Sequence, residues 1–317
     1  RLVIGFIGGS ITQGSLSSTP QTCYAYRVYT WWKETFPQAE FVYCNAGIGG
    51  TTSEFGAARV GTDLLAERPD FVIVEFSVND ESTEHFKETY EGLVRKILGA
   101  AWNPAVLLVH NVFYHNGANA QVMHAAIGRH YDLPSVSMQN SIYPEVVAGR
   151  IENRAITPDD LHPNDEGHAL VASVITYFLE QVRSGKLTGS NASFALGAKL
   201  PVPLTKNAYE DSVRIRNAAA PDMAGLQQPT LDGFTPDETA QNEITDCFRY
   251  GWTAKKTGDA ITFLVEGSCI AVQYRKSVKL PAPVALAVVD DDTEHAVRLD
   301  ANFDETWGDK LELATLL

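Results

Sequence analysis

Five apolar runs, each closed by turn-forming residues, recur through the first half of the chain. They read LVIGFIGG (2–9), FVYCNAG (41–47), FVIVEFS (71–77), AVLLVHNVF (105–113) and LPSVSM (133–138). Their Val, Ile and Phe are nearly continuous rather than alternating with polar residues, the pattern of strands covered on both faces. Between them YAYRVYTWWKETF, SEFGAARVGTDLLAE, HFKETYEGLVRKILGA and NAQVMHAAIGRHY read as helices. A last helix, PNDEGHALVASVITYFLEQVRSG, has acidic residues early, apolar residues three and four apart, and a glycine at its end. Such alternation predicts an α/β domain with a parallel sheet over residues 1–185.

From about residue 186 the texture changes. KLTGSNASFALGAKLPVPLTKNAYED has no helical period and reads as a linker over 186–210, or as an arm crossing between domains. Beyond it AITFLVEG, CIAVQYRKS, APVALAVVD and HAVRLDAN are short apolar runs separated by turn signals. They predict a β-sandwich over 211–317. The closing KLELATLL reads as an unfinished strand, so that domain is expected to continue further.

A length of 317 residues accommodates two such domains. The formal net charge of -14 argues against a nucleic-acid partner, which needs clustered Lys and Arg. No apolar run approaches the ~20 residues of a membrane span, so no membrane partner is expected. The chain opens at Arg1 directly on its first strand pattern, as a trimmed record would. Cys23, Cys44, Cys247 and Cys269 form no CxxC and accompany no His-rich spacing, so no metal is expected. Cys44 and Cys269 lie in apolar runs, where thiols act as small core residues. Nothing in this set requires an oxidising compartment. A cytoplasmic location is the expectation, with secretion left open by the trimmed start.

One strand end invites chemistry. In GFIGGSITQG, Ser10 sits on a double-glycine turn just past the first strand, at the sheet edge where α/β proteins bind ligands. A capped strand-to-helix turn is the plainer reading. As a nucleophile Ser10 would need a base within reach and a group to orient that base. Of eight histidines, His85, His110, His115, His124, His130 and His295 show no distinctive local acidic partner and are expected on the surface or in the core. His168 is expected to pack inside the last helix. His162, in TPDDLHPNDEGH, follows Asp159 by three residues in a proline-bounded loop. A carboxylate at that spacing can fold back on Nδ1 and leave Nε2 for the serine. Oxyanion donors are available from the Gly50 N–H in NAGIGGTTS and the Asn79 amide in EFSVND. A phosphate-binding loop is disfavoured in GIGG, since no Lys-Ser/Thr follows and the GxGxxG order is not met.

Ser10 in GGSIT, Gly50 in NAGIGGTTS, Asn79 in VND and Asp159 with His162 in DDLHPND resemble, in order, the four blocks of the SGNH (GDSL-like) hydrolase superfamily. The likeness covers about residues 1–183. It implies a flavodoxin-like three-layer α/β domain in which Ser10 is the nucleophile, His162 the base and Asp159 its orienting partner. The oxyanion hole would comprise the Ser10 N–H, the Gly50 N–H and Asn79, with no cofactor. Two positions depart from the family pattern: Gly9 stands where GDS has Asp, and Ser77 where GxND has Gly. GGSITQG resembles the carbohydrate-esterase form of the superfamily. The two-domain plan is similar to bacterial acetylmannan esterases with a jelly-roll-like, carbohydrate-binding-type module. The implied function is removal of O-acetyl groups from plant oligo- or polysaccharides such as mannan or xylan, the partner being an acetylated carbohydrate. A lipase or thioesterase, an acyltransferase, and an unreactive glycan-binding protein are the alternatives. In the second domain Trp252 and Trp307 could stack on sugars, although core or edge packing is commoner. Asp290, Asp291 and Asp292 read as a solvated acidic turn rather than a calcium loop.

Overall fold

Each of the five apolar runs becomes a strand: β1 (Leu2–Gly8), β2 (Phe41–Gly47), β3 (Phe71–Glu75), β4 (Ala105–His110) and β5 (Ser135–Ser137). In this computed structural model, which describes residues 1–187, 199–218, 226–239, 247–305 and 308–317, they form one parallel sheet ordered β2-β1-β3-β4-β5. That order is the flavodoxin-like one. The chain divides into two units, Arg1–Val213 and Arg214–Leu317.

Period-two alternation sorts the strand side chains onto two buried faces. Ile4, Phe6, Ile73, Leu107 and Val109 face one core, which includes residues of α2 (Tyr24–Thr35) and α8 (Asp165–Arg183). Ile7, Val72, Val74, Val106 and Leu108 face the other, with residues of α3 (Ser53–Asp63), α4 (Glu84–Leu98) and α5 (Gln121–His130). A single-turn helix, α1 (Ser10–Gln13), follows β1, and two short helices, α6 (Ile142–Val147) and α7 (Asn153–Ile156), precede α8. Among the described residues no helix is long and apolar enough to cross a membrane.

The first unit extends past the 1–185 expected from sequence, because part of the anticipated linker is held on α4. Glu91 of α4 is fully buried and accepts hydrogen bonds from Leu204 N–H (2.6 Å), Thr205 N–H (2.7 Å) and the Tyr131 hydroxyl (2.5 Å), as well as from the Thr205 hydroxyl. Arg95, one turn on, donates to Glu210 (2.6 Å) and to the Pro201 carbonyl (2.7 Å). A linker composition therefore conceals an arm fixed by charge-assisted hydrogen bonds, which sequence periodicity does not register.

The second unit is built of antiparallel pairs, as expected for a β domain. The pairs join β6 (Thr230–Asp232) to β9 (Ala260–Thr262), β7 (Thr235–Asp237) to β8 (Gly251–Thr253), β10 (Ala271–Lys276) to β13 (Lys310–Thr315), and β11 (Val284–Ala287) to β12 (Val297–Asp300). Trp252 is half-buried and meets Phe263 edge-on, with centroids 5.3 Å apart. Trp307 lies outside the described residues. Asp290 and Asp291 both have positive φ, as turn residues do.

Burial raises the Glu91 carboxyl, but hydrogen bonds from Thr205, Tyr131 and the Leu204 and Thr205 N–H groups outweigh it and hold it below its ordinary range. A depressed carboxyl stabilises the fold above its unfolded pKa of about 4.3 and loses that contribution as pH falls through the folded value. Glu91→Ala is thus expected to cost about 3 kcal/mol near pH 7 by leaving buried donors unpaired. The gap from wild type should narrow below about pH 4. Thermal melts across pH, with limited proteolysis of the 199–213 arm, provide the check.

Candidate active site

Ser10 opens α1 directly beyond β1, and its hydroxyl is nearly buried. As the first helical residue it has an N–H without an intrahelical acceptor. The short helix is clamped on the β2 side: Asn45 Nδ2 donates to the Thr12 carbonyl (2.8 Å) and Gly49 N–H donates to Gln13 Oε1 (2.5 Å). Ser10 Oγ lies 2.8 Å from His162 Nε2, joining residues 152 apart in sequence.

His162 is aimed by its own loop. Its Nδ1 is 2.6 Å from Asp159 Oδ2, while Asp159 Oδ1 accepts from the N–H groups of His162 (2.7 Å) and Leu161 (3.1 Å). Asp160 takes a left-handed conformation (φ 70°) that closes this turn. Its carbonyl accepts from Tyr114 N–H (2.8 Å), and its carboxylate from Arg154 (2.8 Å). Asn164 caps α8 through Gly167 N–H at 3.0 Å. Burial alone would raise the Asp159 carboxyl. The bonds from the His162 ring and from the two N–H groups reverse that and hold it below the usual carboxylate range. Asp159 is thereby kept ionised against an imidazole whose free edge meets a serine.

Gly50 and Asn79 come to the same sheet edge from β2 and β3. Gly49 lies beside Ser10, since a Cβ built on it would be 3.5 Å from Ser10 Cβ, but Gln13 occupies its N–H. Gly50 has φ of 69°, and nothing lies within 4 Å of where its Cβ would be. A glycine adopts this left-handed conformation without strain, and the missing Cβ leaves the space beside the peptide open to a ligand. Asn79 packs directly against Gly9. A Cβ there would come within 2.0 Å of Asn79 Oδ1, so the amide occupies the space that a side chain at residue 9 would need.

Three buried polar groups behind this edge escape a motif reading. The Arg59 guanidinium, with no exposed side-chain surface, donates to the carbonyls of Ala46 (2.6 Å) and Gly8 (3.2 Å) and pairs with Asp63 at 3.3 Å. Glu75, buried at the end of β3, accepts from the Thr12 hydroxyl at 3.3 Å. Burial pushes its carboxyl up to about 7, against hydrogen bonds from Asn111 and Thr12. Asp80 meets His124 in the core at 2.9 Å. A charge inside the apolar run FVIVEF was the one available signal for Glu75. Nothing in the helical segment SEFGAARVGTDLLAE marks Arg59 as buried.

The expectation that His295 has no local acidic partner is overturned. DTEH repeats the Asp-x-x-His spacing, with Asp292 Oδ2 2.7 Å from His295 Nδ1 and Oδ1 accepting the His295 N–H at 3.2 Å. This imidazole is largely exposed. His85 also has an acidic neighbour, Glu54 at 3.3 Å, brought close by the fold. His168 is buried as expected: Tyr24 N–H donates to its Nδ1 (3.3 Å), leaving Nε2 to donate to the Ser15 carbonyl (3.2 Å). Among the described residues no group of three or more His, Cys, Asp or Glu is placed to hold a metal ion.

A parallel sheet ordered 2-1-3-4-5, with Ser, His and Asp in a hydrogen-bonded line at its carboxyl edge, defines the architecture of a serine hydrolase. The model of the GDSL-like lipase/acylhydrolase family matches residues 6–170. A solved structure of a two-domain esterase (CEX) active on acetylated mannans is similar to this chain at 67% identity and TM-score 0.90. That match covers 99% of this chain and 81% of the other. The same esterase co-crystallised with mannopentaose matches at 67% identity and TM-score 0.88, with equal coverage. No curated protein sequence matches the chain. The chain belongs to the GDSL-like lipase/acylhydrolase family and is a carboxylic ester hydrolase.

Gly9→Asp is expected to push Asn79 aside and lower kcat on an aryl acetate by roughly 10²-fold, as for loss of one oxyanion donor, with little change in KM. Steady-state kinetics on the folded variant provide the test, and wild-type turnover would refute the link between these two positions.

Proposed function

We propose that this chain removes O-acetyl groups from mannan-type oligo- or polysaccharides through an acetyl-enzyme on Ser10. The observation that carries the reading is the 2.8 Å contact of Ser10 Oγ with an imidazole whose other nitrogen is held by Asp159. The substrate follows from the 67% identity, over 99% of the chain, to an esterase active on acetylated mannans.

Ser10 Oγ attacks the acetyl carbonyl as His162 Nε2 takes its proton. Asp159, already ionised, stabilises the imidazolium formed. The tetrahedral oxyanion is met by the N–H groups of Ser10 and Gly50 and by Asn79 Nδ2. Its collapse breaks the bond to the sugar oxygen, which takes the proton from His162 and leaves as a hydroxyl, and acetyl remains on Ser10. Water, deprotonated by His162, then attacks the acetyl-enzyme; collapse breaks the bond to Ser10 Oγ, which recovers the proton from His162 as acetate leaves.

Ser10→Ala is expected to lower kcat by roughly 10⁴-fold or more with an unchanged melting temperature. Retention of most activity would sink the assignment. For acyl preference, kcat/KM on acetyl esters of mannooligosaccharides should exceed that on octanoyl esters. The reverse order would favour a lipase.

A further inference from the structure

Two loops carry the proposed oxyanion donors, and a single carboxylate joins them. Asp80 follows Asn79 directly in the turn after β3, where both N–H groups donate to the Phe76 carbonyl at 2.9 and 3.0 Å. Its Oδ1 accepts from Ser53 N–H at 2.8 Å, and Ser53 begins α3 three residues beyond Gly50. Its Oδ2 lies 2.9 Å from His124 Nε2 on α5, and neither side chain has exposed surface. The Asn79 turn, the Gly50 loop and α5 therefore meet at one buried group.

His124 is itself held tightly. Its ring lies flat on that of Tyr90 from α4, with centroids 3.6 Å apart and planes 4° from parallel. The start of α5 is tied to the Asn79 turn by Ala120 N–H donating to the Ser77 carbonyl at 2.7 Å. Nδ1 of His124 has no hydrogen-bond partner among the described residues, so the ring's polar contact runs through Asp80. A stacked, fully enclosed imidazole has one orientation available, and it fixes the carboxylate that both loops lean on.

We infer that His124 is a positioning residue of the esterase, holding the Asn79 and Gly50 oxyanion donors in register through Asp80. It touches neither substrate nor nucleophile. Without its donor the buried carboxylate is underpartnered and turns away from Ser53, and the two donors lose their common reference. Small displacements of preorganised donors weaken the transition state more than the ground state, so the effect falls on kcat. The inference rests on the oxyanion role proposed above for Gly50 and Asn79.

The test is a double-mutant cycle on the full chain with an aryl acetate substrate. His124→Phe keeps the stack on Tyr90 and removes the donor. It is expected to lower kcat about ten-fold with KM within about three-fold. In an Asn79→Ala background the same change should cost less than about three-fold, because one of the two donors it positions is already gone and only the Gly50 share of the loss remains. His124→Gln and His124→Met form a second pair of similar shape, one with a donor and one without. Gln is expected to recover most of the activity and Met to match Phe, which covers a Phe variant that does not fold. Unchanged kcat in folded His124→Phe or His124→Met, equal losses with and without Asn79, or a Gln variant no better than Met would each overturn the role of His124. Unchanged kcat in Asn79→Ala alone would instead overturn the oxyanion reading on which it rests.

Discussion

The Arg59 guanidinium is the constraint from which the catalytic edge is built. It is enclosed, and two of its acceptors are main-chain carbonyls at the ends of adjacent parallel strands, Gly8 and Ala46. A buried charge that loses partners is costly, so those strand ends cannot drift apart or slide in register. Two residues beyond Gly8 stands Ser10, and four beyond Ala46 stands Gly50. The spacing of the proposed nucleophile and oxyanion loop is thus set from beneath, by a side chain that bonds the two strand ends. Asp80 completes the same arrangement on the β3 side.

The histidine arrives by another route. The loop carrying Asp159 and His162 owes its shape to short-range bonds: carboxylate to backbone N–H, Asp160 in a left-handed turn, and Asn164 capping α8. Its place against Ser10 is fixed at the start of α8, where Asp165 accepts from Ser18 N–H (2.8 Å) and the Ser18 hydroxyl (2.5 Å). His168, one turn on, joins the same helix to α2 and to the Ser15 carbonyl. A rigid sheet edge and a locally shaped loop are brought together by helix α8.

Strands were legible because burial on both faces leaves an unbroken apolar run, and the Ser10, Gly50, Asn79, Asp159 and His162 blocks were legible because each follows a strand or precedes a helix. What escaped depends on groups meeting from separate elements. Arg59 spans two strand ends, Asp80 and His124 lie 44 residues apart, and Glu91 gathers an arm more than a hundred residues downstream. No periodicity records such meetings. Helices α6 and α7 were missed for a different reason, having too few residues to display a helical period. His295 was legible and overlooked, since DTEH has the same spacing as DDLH.

That second Asp-x-x-His pair acts as an internal reference for the first. Asp292 and His295 reproduce the bonding of Asp159 and His162, the ring bond at 2.7 against 2.6 Å and the N–H bond at 3.2 against 2.7 Å, on an exposed turn of a different unit. The motif is therefore a turn that assembles from local bonds where the chain is not α-helical; the same spacing at Asp165 and His168 lies within α8, where each side chain bonds elsewhere. Such a turn acquires chemistry only by adjacency. Of the two copies whose Asp and His bond to each other among the described residues, the one at residues 159–162 is delivered to a serine, and the architecture's real expense lies in that delivery.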